Sequence, residues 1–224
     1  MITECIHCKH TKLYKLANGH LKCASCKRKI SPAKIEKINN IVDAFCKNLT
    51  AREASKECKC SYMTAKTHYD HMRLLITQYL EDQYNKHTGE IKEFDEYFYL
   101  EKSKKKSEDT IFDIQNFLTF DYGGKVYNIL MPSLRKYRTN LLDDGMQHEY
   151  YNQLSRFITF RRVAKLEHLD NTIIKFWSFF EENIKRYRGV DRENFIYYLK
   201  EFEFKFNYTQ EEQKNILFSL YQIS

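Results

Sequence analysis

The sequence predicts an α+β chain in three parts: a small zinc ribbon over residues 1–30, a helix-turn-helix over 31–82, and a mixed domain over 91–224. Three observations predict it. Cys5 with Cys8 and Cys23 with Cys26 form two Cys-x-x-Cys pairs joined by a short basic segment. A short helix signal, a tight turn and a longer helix signal follow directly. Beyond residue 91 the apolar pattern takes strand spacing, and beyond 171 it returns to helical spacing.

In the ribbon, each Cys-x-x-Cys can set two thiolates on one side of a tight turn. Two such turns face to face make the tetrahedral thiolate site that zinc prefers. Some twenty residues cannot build a core of their own, so a structural metal takes that role. Asn18-Gly19 marks the hairpin turn. His7, His10 and His20 lie nearby and are alternative ligands, but four thiolates already complete the site. Lys9, Lys12, Lys15, Lys22, Lys27, Arg28 and Lys29 fall in this segment with no acid after Glu4, which points to a polyanionic partner.

Ser31 and Pro32 open the first helix as N-cap and first helical residue. Ile35, Ile38, Ile41, Val42 and Phe45 mark its buried face. Thr50 and Glu53 form a capping box for a short helix ending near Glu57. Cys58-Lys59-Cys60 reads as a turn, and Ser61 caps a third helix running to about Asp82. That layout is a helix-turn-helix, whose second helix offers its first turns to base edges in the major groove. Tyr62, Met63, Lys66 and Thr67 occupy those turns; His68, His71 and Arg73 come later and are placed to reach phosphates, while Ala65, Tyr69 and Met72 face inward. An ordinary three-helix bundle is the plainer reading of the same pattern.

Residues 82–91 read as a linker. Strands are expected over 91–100, 110–120 and 125–134, with Asp121-Tyr122-Gly123-Gly124 as the hairpin turn between the last two. Residues 135–157 are more helical, and 157–166 is a further short strand. Lys104-Lys105-Lys106 lies in a charged stretch that reads as a solvated loop. Ile173, Phe176, Trp177, Phe180, Ile184 and Tyr187 hold helical spacing over 171–188. Gly189 ends that helix, Asp191 caps the next, and Thr209 with Glu212 caps the last.

A formal net charge of +7 on 224 residues fits nucleic acid or an acidic membrane surface. No apolar run nears the ~18 residues of a membrane span and no leader is apparent, so no membrane partner and a cytoplasmic location are expected. Seven cysteines, four of them at zinc spacing, argue against a disulfide framework; Cys46, Cys58 and Cys60 read as free thiols.

The order of these parts resembles the ISXO-like insertion-sequence transposases with an N-terminal zinc ribbon. Three stretches carry the resemblance beyond layout. Lys92-Glu93-Phe94-Asp95-Glu96 is similar to that family's Val-Asp-Glu strand, and Gly123-Gly124-Lys125-Val126-Tyr127 to its hairpin. The stretch from Asn171 to Trp177, with the one from Leu199 to Asn207, is similar to its C-terminal signature. The resemblance implies an RNase H-like domain, recognition of DNA ends (terminal inverted repeats) by the N-terminal modules, and strand cleavage and transfer with two magnesium ions. Carried over residue by residue, Asp95 is the first metal carboxylate. Asp144, beside Asp143 and before Gly145, is the second, and Asn171 stands at the third. Two positions depart from the family: Ile174 where it has Glu, and Glu181-Glu182 where it has Lys or Lys-Arg.

The expected function is therefore transposase-like recognition of duplex DNA with an eroded two-metal strand-transfer site. An active transposase using Asp95, Asp144 and Asn171 is the first alternative, and a zinc-stabilised protein-interaction or regulatory module the second. A homodimer is compatible with each.

Overall fold

The computed structural model describes residues 3–87, 91–100, 114–132, 171–187 and 190–223, and the chain is a mixture of helices and small antiparallel sheets, α+β as expected. It divides into two compact units: residues 1–78 with 208–224, and residues 79–207. The expectations for 135–157, 157–166, Asp144 and Lys104-Lys105-Lys106 lie outside the described residues, as does Gly189.

The first unit opens with β1 (Leu13–Lys15), β2 (Leu21–Cys23) and β3 (Lys29–Ile30) in one antiparallel sheet. Leu13 pairs with Cys23, Tyr14 with Lys22, and Lys22 in turn with Lys29. Gly19 sits at the hairpin with φ +78°, the left-handed region where a Cβ is costly, and Gly19 N donates to Leu16 O. Helix α1 (Pro32–Cys46) begins where Ser31 Oγ accepts from Lys34 N, and Ile41, Val42, Ala44 and Phe45 are its buried residues beside Cys46. At α2 (Ala51–Glu57), Thr50 and Glu53 exchange both capping-box hydrogen bonds. Lys59 takes φ +50° in the turn that follows, and Cys60 N donates back to Ser55 O. Helix α3 (Tyr62–Lys86) starts with Ser61 Oγ accepting from Thr64 N, and it runs one turn beyond the expected end. Ala65, Tyr69 and Met72 are fully buried, and Tyr69 meets Phe45 edge to face at 5.0 Å.

The last helix, α6 (Gln210–Ile223), belongs to this first unit and packs against α1. Its Thr209–Glu212 capping box forms as expected. Lys214 pairs with Asp43, and Lys214 first, then Lys47, hold the Asp43 carboxyl below its ordinary range. Tyr221 Oη donates to His68 O at 3.1 Å and lies 5.1 Å from the His71 ring. An amphipathic stripe announces that a helix will bury one face, but not which element will cover it.

In the second unit, β4 (Glu93–Tyr99), β5 (Gln115–Asp121) and β6 (Val126–Leu130) form an antiparallel sheet in that order. These strands are shorter than the expected ranges, and the β5–β6 turn carries Gly123 and Gly124 at φ +83° and +88°. One sheet face packs on α4 (Thr172–Ile184) and α5 (Phe195–Asn207), where Tyr97, Phe117, Phe176, Trp177, Phe180 and Phe202 build an aromatic core. A polar thread runs through this core. Trp177 Nε1 donates to Thr119 Oγ1 at 2.8 Å, and Thr119 Oγ1 donates to Asn128 Oδ1 at 2.7 Å. Asn128 N and Nδ2 both donate to Glu203 Oε2, whose cation partner is Lys200 at 2.9 Å. Lys200 also sits over the Tyr127 ring at 3.6 Å. Both charged residues of that pair are buried, so removing one strands the other in an apolar medium.

Lys200→Met should therefore cost about 3–5 kcal/mol, and Lys200→Met with Glu203→Leu clearly less than that; urea unfolding followed by the fluorescence of Trp177, the one tryptophan, checks both. A second expectation concerns pH. Burial, then the charges of His71, Lys34 and Lys37, hold the His68 imidazole below its ordinary value of 6.5. The unfolded chain then takes up the proton first, so stability falls as pH drops through about 6.5. Between pH 7.5 and 5.5 the urea midpoint of the wild type should fall more than that of His68→Gln.

Candidate metal centre and candidate nucleic-acid surface

The ribbon's apolar core is tiny: Cys5, Cys23 and Ile30 are buried, with Ile6, Leu13, Leu21, Cys26 and Ile35 packed around them. What gathers this segment is its four sulfurs. Cys5 Sγ lies 3.6 Å from Cys26 Sγ and Cys8 Sγ 3.5 Å from Cys23 Sγ, and all four ligand atoms fall within 4.8 Å of one another. A regular tetrahedron of ~2.3 Å zinc–sulfur bonds has sulfurs ~3.8 Å apart, so the spacing fits a metal ion. None of the four is in a disulfide. The four cysteines are positioned to bind a metal ion.

Two similar turns produce this convergence. Cys5 N donates to His10 O at 2.9 Å and Cys23 N to Arg28 O at 3.0 Å, each bond closing a loop five residues on. Lys9 and Lys27, each directly after the second cysteine of its pair, both take φ +59°. A non-glycine residue there carries a cost of about 1–2 kcal/mol, and it persists where the surroundings over-determine it. The repeated Cys-x-x-Cys-Lys string is the signal in the sequence that this strained turn occurs twice.

The thiol electrostatics agree with a shared site. Burial opposes ionisation of Cys23, but the backbone N–H groups of Cys26 and Ser25 and the thiols of Cys8 and Cys26 outweigh it, drawing its pKa to about 6. For Cys26 the N–H of Arg28 favours the thiolate; burial and the neighbouring sulfurs prevail and push it up to about 11. The Cys23 thiolate thus forms readily while Cys26 retains its proton, which a divalent cation would displace. The histidines stay outside the cluster: His10 Nδ1 accepts from Lys12 N, and His7 pairs with Arg28.

On α3, Tyr62 and Met63 are 50% and 63% exposed, and Lys66 and Thr67 lie on the same open face. Lys66 pairs with Asp70 at 2.7 Å, and Thr67 Oγ1 donates to Met63 O. Arg73 differs from expectation. It is 3% exposed, bonded to Asp70 at 3.0 Å and set over the Tyr69 ring, so it braces the helix rather than reaching outward. Its position one turn past the open face puts it at the edge of the buried stripe.

The residues at the expected catalytic positions are only partly brought together. Asp95 is half-buried mid-strand on the face that carries Tyr97, and its Oδ1 accepts from Glu96 N at 2.7 Å. Asn171 caps α4, its Oδ1 accepting from Ile174 N at 2.9 Å, while its Nδ2 donates to both carboxylate oxygens of Glu93 at 2.9 and 2.8 Å. Glu93 is the residue that sequence reasoning missed. It stands two places before Asp95, hence on the same strand face, and that period is its signal. Ile174 is buried in the aromatic core. Glu181, half-buried, accepts from Tyr97 Oη, and burial raises its pKa while Lys185 lowers it. Asp144 lies outside the described residues, and among those described the four cysteines are the only cluster of metal-ligating side chains. Cys46 is buried, Cys58 and Cys60 are half-buried, and none of the three is in a disulfide. No described helix is long and apolar enough to cross a membrane.

Comparison with known proteins gives no match: no family model fits the chain, and neither a curated protein nor a solved structure is similar to it.

Metal titration should give one equivalent per chain in the wild type and none in Cys23→Ser. With cobalt in place of the native ion, the wild type should show the absorption of a tetrahedral thiolate site. Chelation should abolish amide protection in residues 3–30 and leave Trp177 fluorescence unchanged, because the aromatic core shares no residue with the ribbon.

Proposed function

We propose that this chain is a transposase-type DNA-binding protein that recognises duplex DNA through a zinc ribbon and a helix-turn-helix, α2 to α3, and whose two-metal strand-transfer site is eroded. The observation that carries the reading is the open face of α3. A capped short helix, a tight turn and a second helix leave Tyr62, Met63, Lys66 and Thr67 on its first turns, where that motif meets base edges. Met63 and Tyr62 suit apolar contact with thymine methyl groups, and Lys66 can exchange Asp70 for a phosphate or a guanine. The four-thiolate cluster suits zinc in its ligand type and spacing, and it would hold a ribbon that carries basic residues and no acid after Glu4.

Erosion is supported by three side chains. Where the resembled family carries a metal-binding Glu, Ile174 fills the core. Where it carries a cation, Glu181 is engaged by Tyr97. Asn171 spends both ends of its amide on the helix cap and on Glu93, which leaves a magnesium ion little to bind there.

Duplex DNA should bind at micromolar concentration or tighter, weakening with salt by about 0.9 log units per log unit of salt for each phosphate contact. Lys66→Ala should reduce that slope by about 1; binding that ignores salt would refute the reading. Incubation of supercoiled DNA with magnesium should give no nicking beyond that of Asp95→Ala. Nicking by the wild type that Asp95→Ala abolishes would restore the active-transposase alternative.

A further inference from the structure

One face of the ribbon sheet is not accounted for by the metal or by α3. Direct cross-strand partners project to the same side of a sheet. The pairs Tyr14–Lys22 and Lys22–Lys29 therefore set one aromatic ring and two ammonium groups in a row across all three strands, spanning ~10 Å. The opposite face, with Leu13, Leu21, Cys23 and Ile30, is the one turned to the sulfur cluster and the small core. Tyr14 is 49% exposed, and no other aromatic ring packs on it among the described residues. Lys12 lies 5.8 Å from its ring centroid, at one edge of the row. Among the described residues, Lys12, Lys22 and Lys29 make no ion pair, and no acid follows Glu4 in the ribbon.

We propose that this face binds single-stranded DNA, one unpaired base stacking on Tyr14 while Lys12, Lys22 and Lys29 take the flanking phosphates. The ligand class follows from the combination. A row of cations alone would serve any phosphate backbone, but an open aromatic ring needs a base with a free face, which a stacked duplex does not offer outside its ends. The sheet lacks a protruding helix to enter a groove, and its row of cations tracks one strand. This refines the ribbon's share of the duplex-binding reading and assigns it a different strand state from α3, so each can fail without the other.

The test uses the full zinc-loaded chain and fluorescence anisotropy with four labelled probes of equal length: oligo-dT, the same strand carrying abasic sites, oligo-rU and a duplex. Oligo-dT should bind, and Tyr14→Ala should weaken it about tenfold while Tyr14→Phe retains it. The abasic strand should bind the wild type about as weakly as oligo-dT binds Tyr14→Ala. Lys22→Ala should lower the salt slope for oligo-dT by about 0.7. Duplex affinity should be unchanged by Tyr14→Ala and reduced by Lys66→Ala. One metal equivalent per chain in each variant shows that the ribbon is formed. Equal binding of oligo-dT by the wild type and Tyr14→Ala, or equal binding of the abasic and intact strands, overturns the proposal. A tenfold preference for oligo-rU over oligo-dT overturns the assignment to DNA.

Discussion

The convergence of four sulfurs is the constraint on which the N-terminal segment depends. Three antiparallel strands of two or three residues each cannot hold register by backbone bonds alone, and the apolar residues they enclose are too few to compensate. The two cross-pair contacts, Cys5 to Cys26 and Cys8 to Cys23, tie the two turns together and set the sheet between them. Left-handed backbone at Lys9 and Lys27 follows from the same requirement, since each turn must double back to aim both thiols at one point. The open face of the sheet is free to carry charge because a metal on the sulfur side would supply the cohesion.

The second unit solves the opposite problem. Its core is generous, and it tolerates two buried carboxylates on α5 because each is matched by a lysine. Glu203 receives two bonds from Asn128 and faces Lys200, and Glu201 takes Lys205 at 2.5 Å and the Tyr187 hydroxyl at 3.0 Å. Such pairs add little net stability over apolar residues of the same size, but they specify one alignment of α5 against the sheet. The same alignment places Trp177 on Thr119 and seats Ile174 in the core.

Much of this was legible in the residues, and the parts that were not have physical reasons. Helix starts are local: Ser31, Thr50, Asn171 and Thr209 each accept from a backbone N–H three residues on, and that chemistry is visible in sequence. Turns at Gly19 and Gly123-Gly124 are equally local. Sulfur spacing announced the cluster of four cysteines. Long-range choices were not visible. The position of Arg73 suits a phosphate contact, but a long side chain at the rim of a buried stripe can turn either way, and Asp70 and Tyr69 decide it. The side-chain oxygen of Asn171 that a metal would need is the one its helix cap uses. Glu93 acquires meaning only when α4 is brought to its strand.

Helix α6 makes the first unit discontinuous in the chain: its partner α1 lies before residues 79–207 and α6 itself after them. During synthesis at a typical rate, the ribosome needs on the order of ten seconds to pass from the end of the first segment to α6. Throughout that interval α1 lacks the helix that supplies Lys214 to Asp43 and Tyr221 to His68. The first unit therefore gains its last helix only after all of residues 79–207 have been made, whereas the second unit is continuous in the chain and waits for no later segment.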